Sequence, residues 1–316
     1  MPAIIDYAHG ISAVDSGFVR PQLDAIHLIV EGGRGAIVDT GTQHSVPAIL
    51  GALAAKGLGA EAVDYVILTH IHLDHAGGAG ALMRALPNAQ LVVHPRGVRH
   101  MADPRKLVEG TIAVYGEETA RRLYGDILPV PEARILPAPD GLELSLAGRV
   151  LRLYETPGHA RHHIVVHDER SGCVFAGDTF GLSYRELDED GRQFLFPTTS
   201  PVQFEPEAYH RSIDRIAALA RDVVYVTHYS ALYHPHARTA DLHRLIDAHV
   251  ALALEVADAG EERPRLLYEG VRKLLLEEAR RYGTRLSDEA VMAVYGTDVE
   301  LNAQGLGVWL DSRGAH

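Results

Sequence analysis

The sequence predicts an α/β (α+β) fold that ends in a helical C-terminal extension. Short β-rich segments alternate with segments of helical apolar spacing between residues 27 and 226, a pattern typical of sheets covered by helices. From about residue 237 onwards only helical patterns follow. We therefore expect a mixed domain over residues 1–236 and a helical region over residues 237–316 that packs on it.

The mixed domain is predicted to begin with a hairpin, because Gly32 and Gly33 separate two β-rich runs. The next elements are a helix at 46–56, a strand at 63–68, a helix at 79–86, a strand at 90–94 and a mostly helical stretch at 97–127. Strands are then expected at 142–146, 150–155, 164–167, 174–176 and 223–226, with a helix at 206–221.

The C-terminal region carries helical apolar spacing and start signals for helices. Leu242, Leu245 and Ile246 share one helical face. Pro264 lies near the start of a second predicted helix, and the sequence places further helical spacing after Ser287, which is a good N-cap. The region therefore reads as helical throughout.

Composition excludes several classes of protein. With 47% hydrophobic and 23% charged residues, the chain of 316 residues resembles an average globular protein, so disordered and collagen-like structures are excluded. The net charge of −12 repels a nucleic-acid backbone, and no basic run offsets it. The single cysteine, Cys173, forbids an internal disulfide and a cysteine-rich zinc site. Without a signal peptide or a membrane-length apolar stretch, we expect a cytoplasmic protein with no membrane partner.

The densest group of functional side chains follows the strand predicted at 63–68, in the segment THIHLDHAGG. His70 and His72 are two residues apart in extended backbone, so their side chains point the same way and can share one cation. Asp74 and His75 follow where the chain turns towards a helix, which directs them to a neighbouring point. Histidine is the commonest metal ligand, and this density of ligand types predicts a metal site.

Three further strand ends carry matching side chains. His159 lies in TPGH, Asp178 in AGD and His228 in VTH, and each follows a predicted strand. Functional groups in α/β sheets collect at the carboxyl ends of strands. We therefore expect these loops to converge with the segment around His70 on one site.

These motifs, in this order, resemble the metallo-β-lactamase superfamily, whose hallmark is HxHxDH followed by His, Asp and His; the resemblance covers roughly residues 20–230. It implies a four-layer αββα sandwich with a metal site at one edge of the two sheets. It also implies that His70, His72 and His159 hold a first metal ion, that Asp74, His75 and His228 hold a second, and that Asp178 bridges both. Asp39, in the segment VDTG, is expected to be structural or to support a ligand.

Such a ligand set fits two divalent ions about 3.5–4 Å apart, which acidify a bridging water to hydroxide near neutral pH. Hydroxide attacks an acyl carbon or a phosphorus centre. Asp74 is the predicted catalytic residue, because it is both a metal ligand and a carboxylate that is able to accept or shuttle a proton. The donor types suit zinc, iron and manganese, and zinc is favoured by affinity and by the resemblance.

The residue pattern of the motifs most resembles that of the glyoxalase II and lactonase branches of the superfamily. The predicted function is therefore a dinuclear metal-dependent hydrolase that cleaves an ester, thioester or lactone bond of a small molecule. Two alternatives stay open: a mononuclear non-haem iron dioxygenase acting on a persulfide-type substrate, and a non-catalytic metal-binding module. A homo-oligomeric assembly also stays open.

Other residues are expected near this site. Five aromatic residues are expected to form a rim at the mouth of the site, and the alternative for them is core packing: Phe180, Tyr184, Phe194, Phe196 and Tyr229. One residue of the segment 161–163 is expected to orient a ligand. Seven histidines show no partner pattern and are predicted to be structural or surface residues: His94, His100, His210, His234, His236, His243 and His249.

Overall fold

Two β-sheets pack face to face at the centre of the molecule. The computed structural model describes residues 3–313, except for the side chains of residues 114 and 115. In this part of the chain the first sheet has seven strands in sequence order: β1 (Ile4–Asp6), β2 (Ile11–Asp15), β3 (Ala25–Glu31), β4 (Arg34–Val38), β5 (Val63–Ile67), β6 (Gln90–Val93) and β7 (Ile135–Pro137). Neighbours are antiparallel from β1 to β4 and parallel from β4 to β7.

The second sheet has six strands within the described residues: β8 (Leu142–Leu146), β9 (Arg149–Glu155), β10 (Ile164–Asp168), β11 (Cys173–Gly177), β12 (Val223–Val226) and β13 (Ser230–Tyr233). Each strand pairs with its neighbour in sequence. β11 and β12 pair in parallel, because the connection between them contains the helix α7 (Pro206–Leu219).

Helices cover the outer face of each sheet. The helices before α7 are α1 (Val46–Ala55), α2 (Leu73–Ala76), α3 (Ala79–Ala85), α4 (Val98–Ala102), α5 (Arg105–Tyr115) and α6 (Glu117–Tyr124). Those after it are α8 (Thr239–Glu255), α9 (Arg263–Tyr282) and α10 (Asp288–Arg313). No helix within residues 3–313 is long and apolar enough to cross a membrane.

The alternation of side chains along each strand builds the layers. In β3, Ile29 packs into the core between the two sheets, whereas its neighbour Leu28 packs outwards against α1 and α3. In β11, Phe175 packs into the core between the sheets. Val174 packs outwards with α7 and the C-terminal helices. The order helix, sheet, sheet, helix confirms the predicted four-layer αββα fold.

The sequence missed four strands, namely β1, β2, β7 and β13. β1 and β7 have three residues each and lie at the edges of the first sheet, so they are too short to show an alternating pattern. The first sheet therefore begins at Ile4, earlier than the resemblance over residues 20–230 implied. The helices α8 to α10 share one core cluster with the second sheet, and the boundary at residues 236 and 237 stays a prediction.

A buried ion pair joins β9 to β10. The Arg149 guanidinium donates two hydrogen bonds to the Asp168 carboxylate, from Nε to Oδ1 over 2.9 Å and from Nη2 to Oδ2 over 2.6 Å. Neither side chain is exposed. Burial alone would raise the pKa of Asp168, but Arg149 and Ser171 hold that pKa below its ordinary value.

We expect Asp168→Ala to lower the free energy of unfolding by about 3–5 kcal/mol, because a buried guanidinium loses its carboxylate. Urea unfolding measures this effect. In the unchanged chain, the ion pair contributes fully to the free energy of unfolding at a pH above the ordinary aspartate pKa of about 4. This contribution is lost as the pH falls below that value. Glu269→Ala, which breaks an exposed pair with Arg265, is the control and is expected to change nothing measurable. Equal stability of the two variants would contradict the prediction.

Candidate metal centre

The predicted metal ligands all follow the carboxyl ends of strands at one edge of the sandwich. The segment from His70 to His75 follows β5, and the three remaining ligands follow β9, β11 and β12. Main-chain hydrogen bonds hold these loops together, one of them across the two sheets and one within the second sheet. The Ile164 amide donates to the Thr69 carbonyl oxygen over 2.8 Å, and the Thr227 amide donates to that of Gly177 over 3.2 Å. The loops therefore meet at the point that the motifs predict.

The first ligand group consists of His70, His72, His159 and Asp178. His70 Nε2 lies 2.9 Å from His72 Nδ1, and His159 Nε2 lies 3.3 Å and 3.2 Å from the same two atoms. Three imidazole nitrogens thus face one point. This is the arrangement in which lone pairs converge on a cation.

The second ligand group consists of Asp74, His75 and His228. Asp74 Oδ2 lies 3.6 Å from His75 Nε2 and 3.6 Å from His228 Nε2. Asp178 lies between the two groups. Its Oδ2 is 3.5 Å from His159 Nε2, whereas its Oδ1 is 3.2 Å from His75 Nε2. One carboxylate therefore presents an oxygen to each group.

The chemistry of these donors fits divalent metal ions. His75 Nε2 and Asp178 Oδ1 are buried and lie 3.2 Å from each other, but neither has a partner with the geometry of a hydrogen bond among the described residues. Buried polar atoms without a partner are costly unless a ligand or ion satisfies them. Imidazole nitrogen and carboxylate oxygen are ligands that suit zinc, iron and manganese. All seven residues predicted from the motifs are in the two groups, and we infer that the groups hold metal.

The imidazoles of the first ligand group are kept neutral. Burial lowers the pKa of His70 and of His159 well below the ordinary histidine value, and repulsion between neighbouring imidazoles acts in the same direction. Burial also lowers the pKa of His72. A neutral imidazole offers the lone pair that a metal ion requires.

Carboxylates dominate the electrostatics of the second ligand group. Burial alone would lower the pKa of His75, but Asp178 and Asp74 raise it well above the ordinary value. Asp178 and Asp24 likewise overcome burial and raise the pKa of His228 to about 10. A metal ion that bound this group would therefore have to displace protons, so its affinity would rise with pH.

Side chains behind the ligands fix their orientation. Asp39 Oδ2 accepts a hydrogen bond from His75 Nδ1 over 2.8 Å, and the same carboxylate accepts bonds from Thr69 and Thr227. Asp24 Oδ1 lies 2.9 Å from His228 Nδ1. Such carboxylates set the tautomer of a histidine and increase its basicity as a ligand.

Two local features place Asp178. The Asp178 amide donates a hydrogen bond to His163 Nε2 over 3.3 Å, while His163 Nδ1 contacts Thr156 Oγ1 at 2.9 Å. Gly177 precedes Asp178 and has a φ of +51°, and a Cβ on Gly177 would lie 2.6 Å from His163 Nε2. Only glycine fits this turn, so the residue type at 177 sets the direction of the Asp178 side chain.

Sequence reasoning did not identify Asp24, which follows a loop of no recognisable pattern and precedes β3. It anticipated a supporting role for Asp39 and for one residue of 161–163, and the structure places Asp39 and His163 in contact with the ligand residues. The prediction of an aromatic rim is wrong. Five side chains are at most 1% exposed and pack in the core: Phe180, Tyr184, Phe194, Phe196 and Tyr229.

We expect Asp39→Asn to lower metal affinity by about 10–100-fold, because the His75 imidazole loses the anion that orients it. Competition with a chromogenic chelator measures the affinity. Asp64→Asn serves as the control, since Asp64 lies on β5 and pairs with Arg34 away from the ligands. The supporting role of Asp39 is refuted if both variants bind metal as the unchanged chain does.

Comparison with known proteins places these features in context. The model of the metallo-beta-lactamase superfamily matches residues 25–228, which is more than half of the chain. The metallo-beta-lactamase fold-containing protein ST1585 of Sulfurisphaera tokodaii is 26% identical over 225 residues, covering 69% of this chain and 78% of that protein. A hydroxyacylglutathione hydrolase of Aeromonas salmonicida is 29% identical over 181 residues, covering 57% of this chain and 52% of that enzyme. The match thus spans about half the length of that enzyme.

Solved structures agree with the architecture. The crystal structure of ST1585 superimposes with a TM-score of 0.65 at 22% identity, covering 95% of this chain and 99% of that one. The metallo-beta-lactamase family protein TTHA1429 of Thermus thermophilus gives a TM-score of 0.66 at 23% identity, covering 97% of this chain and 94% of that one. At this identity the two structures establish the fold that the chain shares with them.

Proposed function

Because the chain belongs to the metallo-β-lactamase superfamily, we propose that it is a metal-dependent hydrolase that cleaves an ester, thioester or lactone bond of a small molecule. The observation that carries the proposal is the position of Asp178, which presents Oδ2 to the first ligand group and Oδ1 to the second. This arrangement supports a centre of two ions rather than one.

The two ligand groups would hold the ions, and zinc is our choice of metal because histidine predominates among the donors. Two divalent ions held here would lower the pKa of a water molecule towards neutrality and polarise the carbonyl oxygen of a substrate. No serine or cysteine nucleophile is needed. Cys173 is buried in β11, and burial raises the pKa of its thiol to about 12.

Asp74 is the residue that we assign to proton transfer. Its side chain is 24% exposed, whereas that of Asp178 is 7% exposed, so Asp74 is the carboxylate of the centre that solvent and substrate reach. Its Oδ2 faces both imidazoles of the second ligand group. From this position Asp74 is placed to accept a proton from the attacking water and to pass it to the leaving group.

The class of substrate is supported by the relatives. The hydrolase of Aeromonas salmonicida is named for hydroxyacylglutathione, which is a thioester. Arg265 of α9 gives no support for glutathione itself, because it pairs with Glu262 and Glu269 on the exposed face of that helix. We propose a small-molecule acyl substrate, and the net charge of −12 argues against a nucleic-acid partner.

The test combines metal analysis with a panel of lactones, thioesters and carboxylic esters. We expect two zinc ions per chain and turnover of at least one class of substrate, lost after treatment with a chelator and restored by zinc. One iron per chain with oxygen consumption on a persulfide would replace this proposal with a dioxygenase. Turnover of no substrate in the panel, with metal bound, would favour a metal-binding module.

A further inference from the structure

A second group of histidines and carboxylates lies on the outer helical layer, between α7 and α8. His210 and Asp214 are one helical turn apart on α7, and His243 and Asp247 are one turn apart on α8. We call these four residues the α7–α8 cluster. None of them belongs to either ligand group of the metal centre.

Each carboxylate of the α7–α8 cluster holds the histidine of the other helix. Asp247 Oδ1 lies 3.0 Å from His210 Nε2, and Asp214 Oδ1 lies 2.9 Å from His243 Nε2. A carboxylate only accepts hydrogen bonds, so both contacts place the imidazole proton on Nε2. In the neutral rings Nδ1 therefore carries a lone pair.

The two lone pairs face each other. His210 Nδ1 lies 2.5 Å from His243 Nδ1, and the rings are nearly parallel, with an angle of 28° between their planes. Two lone pairs at this distance repel unless a positive charge lies between them. This contact repeats a feature of the metal centre, where imidazole nitrogens also converge on one point.

We propose that the α7–α8 cluster binds a divalent transition-metal ion such as Zn²⁺ through Nδ1 of His210 and Nδ1 of His243. Asp214 and Asp247 hold the two rings in the ligating tautomer, the role that carboxylates have behind many metal-bound histidines. Zinc–nitrogen bonds of about 2.0–2.1 Å place two nitrogens on a tetrahedral ion about 3.4 Å apart. The rings are 26% and 27% exposed, so water can reach them and complete the coordination of an ion for which the two nitrogens would have to separate to this distance.

An ion at this position has a structural consequence. α7 connects two strands of the second sheet, whereas α8 is the first helix of the C-terminal region. The ion would link the two elements across the surface of the core that they share. Because the folded chain binds the ion and the unfolded chain lacks the site, zinc would raise the unfolding temperature of the protein.

The experiment counts ions in three forms of the full chain: the unchanged protein, His210→Gln/His243→Gln, and the control His44→Gln/His236→Gln, which replaces two exposed histidines outside the cluster. Each is dialysed against micromolar free Zn²⁺ and analysed by atomic absorption. We expect one zinc ion fewer in the cluster variant than in the other two forms. Its hydrolytic activity is expected to be unchanged, since the cluster lies outside the metal centre.

A second measurement applies even if the ion is weakly held. Asp214→Asn/Asp247→Asn keeps both imidazoles, and we expect it to lower the zinc affinity of the cluster by about 10–100-fold. The zinc-dependent rise in unfolding temperature should be smaller in both cluster variants than in the control. Equal zinc counts and equal zinc-dependent shifts in all forms would overturn the proposal and assign the charge between the rings to a shared proton.

Discussion

Replacing Asp178 with alanine is expected to lower the rate of hydrolysis by about 10³-fold or more and to reduce the number of bound metal ions. Asp178 lies between both ligand groups, with Oδ1 3.2 Å from His75 Nε2 and Oδ2 3.5 Å from His159 Nε2. A metal ion acting as Lewis acid supplies several kcal/mol of transition-state stabilisation, and each 1.4 kcal/mol is a factor of about ten in rate. Losing one ion therefore accounts for this magnitude.

The measurement pairs steady-state kinetics with atomic absorption on the purified variant. Asp178→Asn separates charge from size, because the amide keeps the volume and one oxygen but lacks the negative charge. Asp258→Ala, at an exposed position on the C-terminal side of α8, is the matched control and should keep full activity and metal. If Asp178→Ala turns over substrate at the unchanged rate, our assignment of the site is wrong.

The grouping of the seven predicted residues follows from information that is local in the sequence. HxHxDH places side chains two residues apart on one strand end, and this spacing fixes their relative direction before any tertiary contact forms. The motifs TPGH and AGD each carry a glycine that the turn requires. At Gly158, with a φ of +134°, a Cβ would lie 2.3 Å from the Cα of Tyr209.

The supporting residues were predictable only in part, because their partners are distant in sequence. Asp24 contacts His228 across more than 200 positions, and no spacing rule links them. For a related reason, the sequence left both a rim and core packing open for the aromatic residues after Asp178. Phe194 and Phe196 are both buried because the C-terminal helices cover them. A pattern within the loop does not show which other segment covers it.

The C-terminal helices determine the burial of the segment next to the metal centre. Tyr295 of α10 packs against Tyr184, with ring centroids 4.7 Å apart, and Tyr184 lies edge-on to His228 at 6.0 Å. The Tyr184 hydroxyl donates a hydrogen bond to Asp298 of the same helix over 3.3 Å. α10 therefore supports Tyr184, which packs against His228 of the second ligand group.

Deletion of residues 237–316 is accordingly expected to leave the protein insoluble or unable to unfold cooperatively, with loss of activity. The deletion uncovers a large part of a core cluster that includes Phe180 and Phe196, and apolar patches beyond a few hundred Å² promote aggregation. Solubility after expression and thermal unfolding measure the outcome. A chain that ends at residue 313 is the control. A soluble and active truncation with unaltered substrate preference would show that the helical region is dispensable.

A point variant tests the same contact in a chain that still folds. Asn302 of α10 accepts a hydrogen bond from the Thr199 amide over 2.7 Å and donates one to the Pro197 carbonyl oxygen over 3.1 Å. Asn302 is fully buried, so Asn302→Ala leaves a buried amide and carbonyl without partners and is expected to lower the free energy of unfolding by about 1–3 kcal/mol. Asn88→Ala, at an exposed position, should change it by less than about 0.5 kcal/mol. Equal urea midpoints for both variants would mean that α10 does not hold this loop, and the proposed support of the metal centre by the C-terminal helices would fail with it.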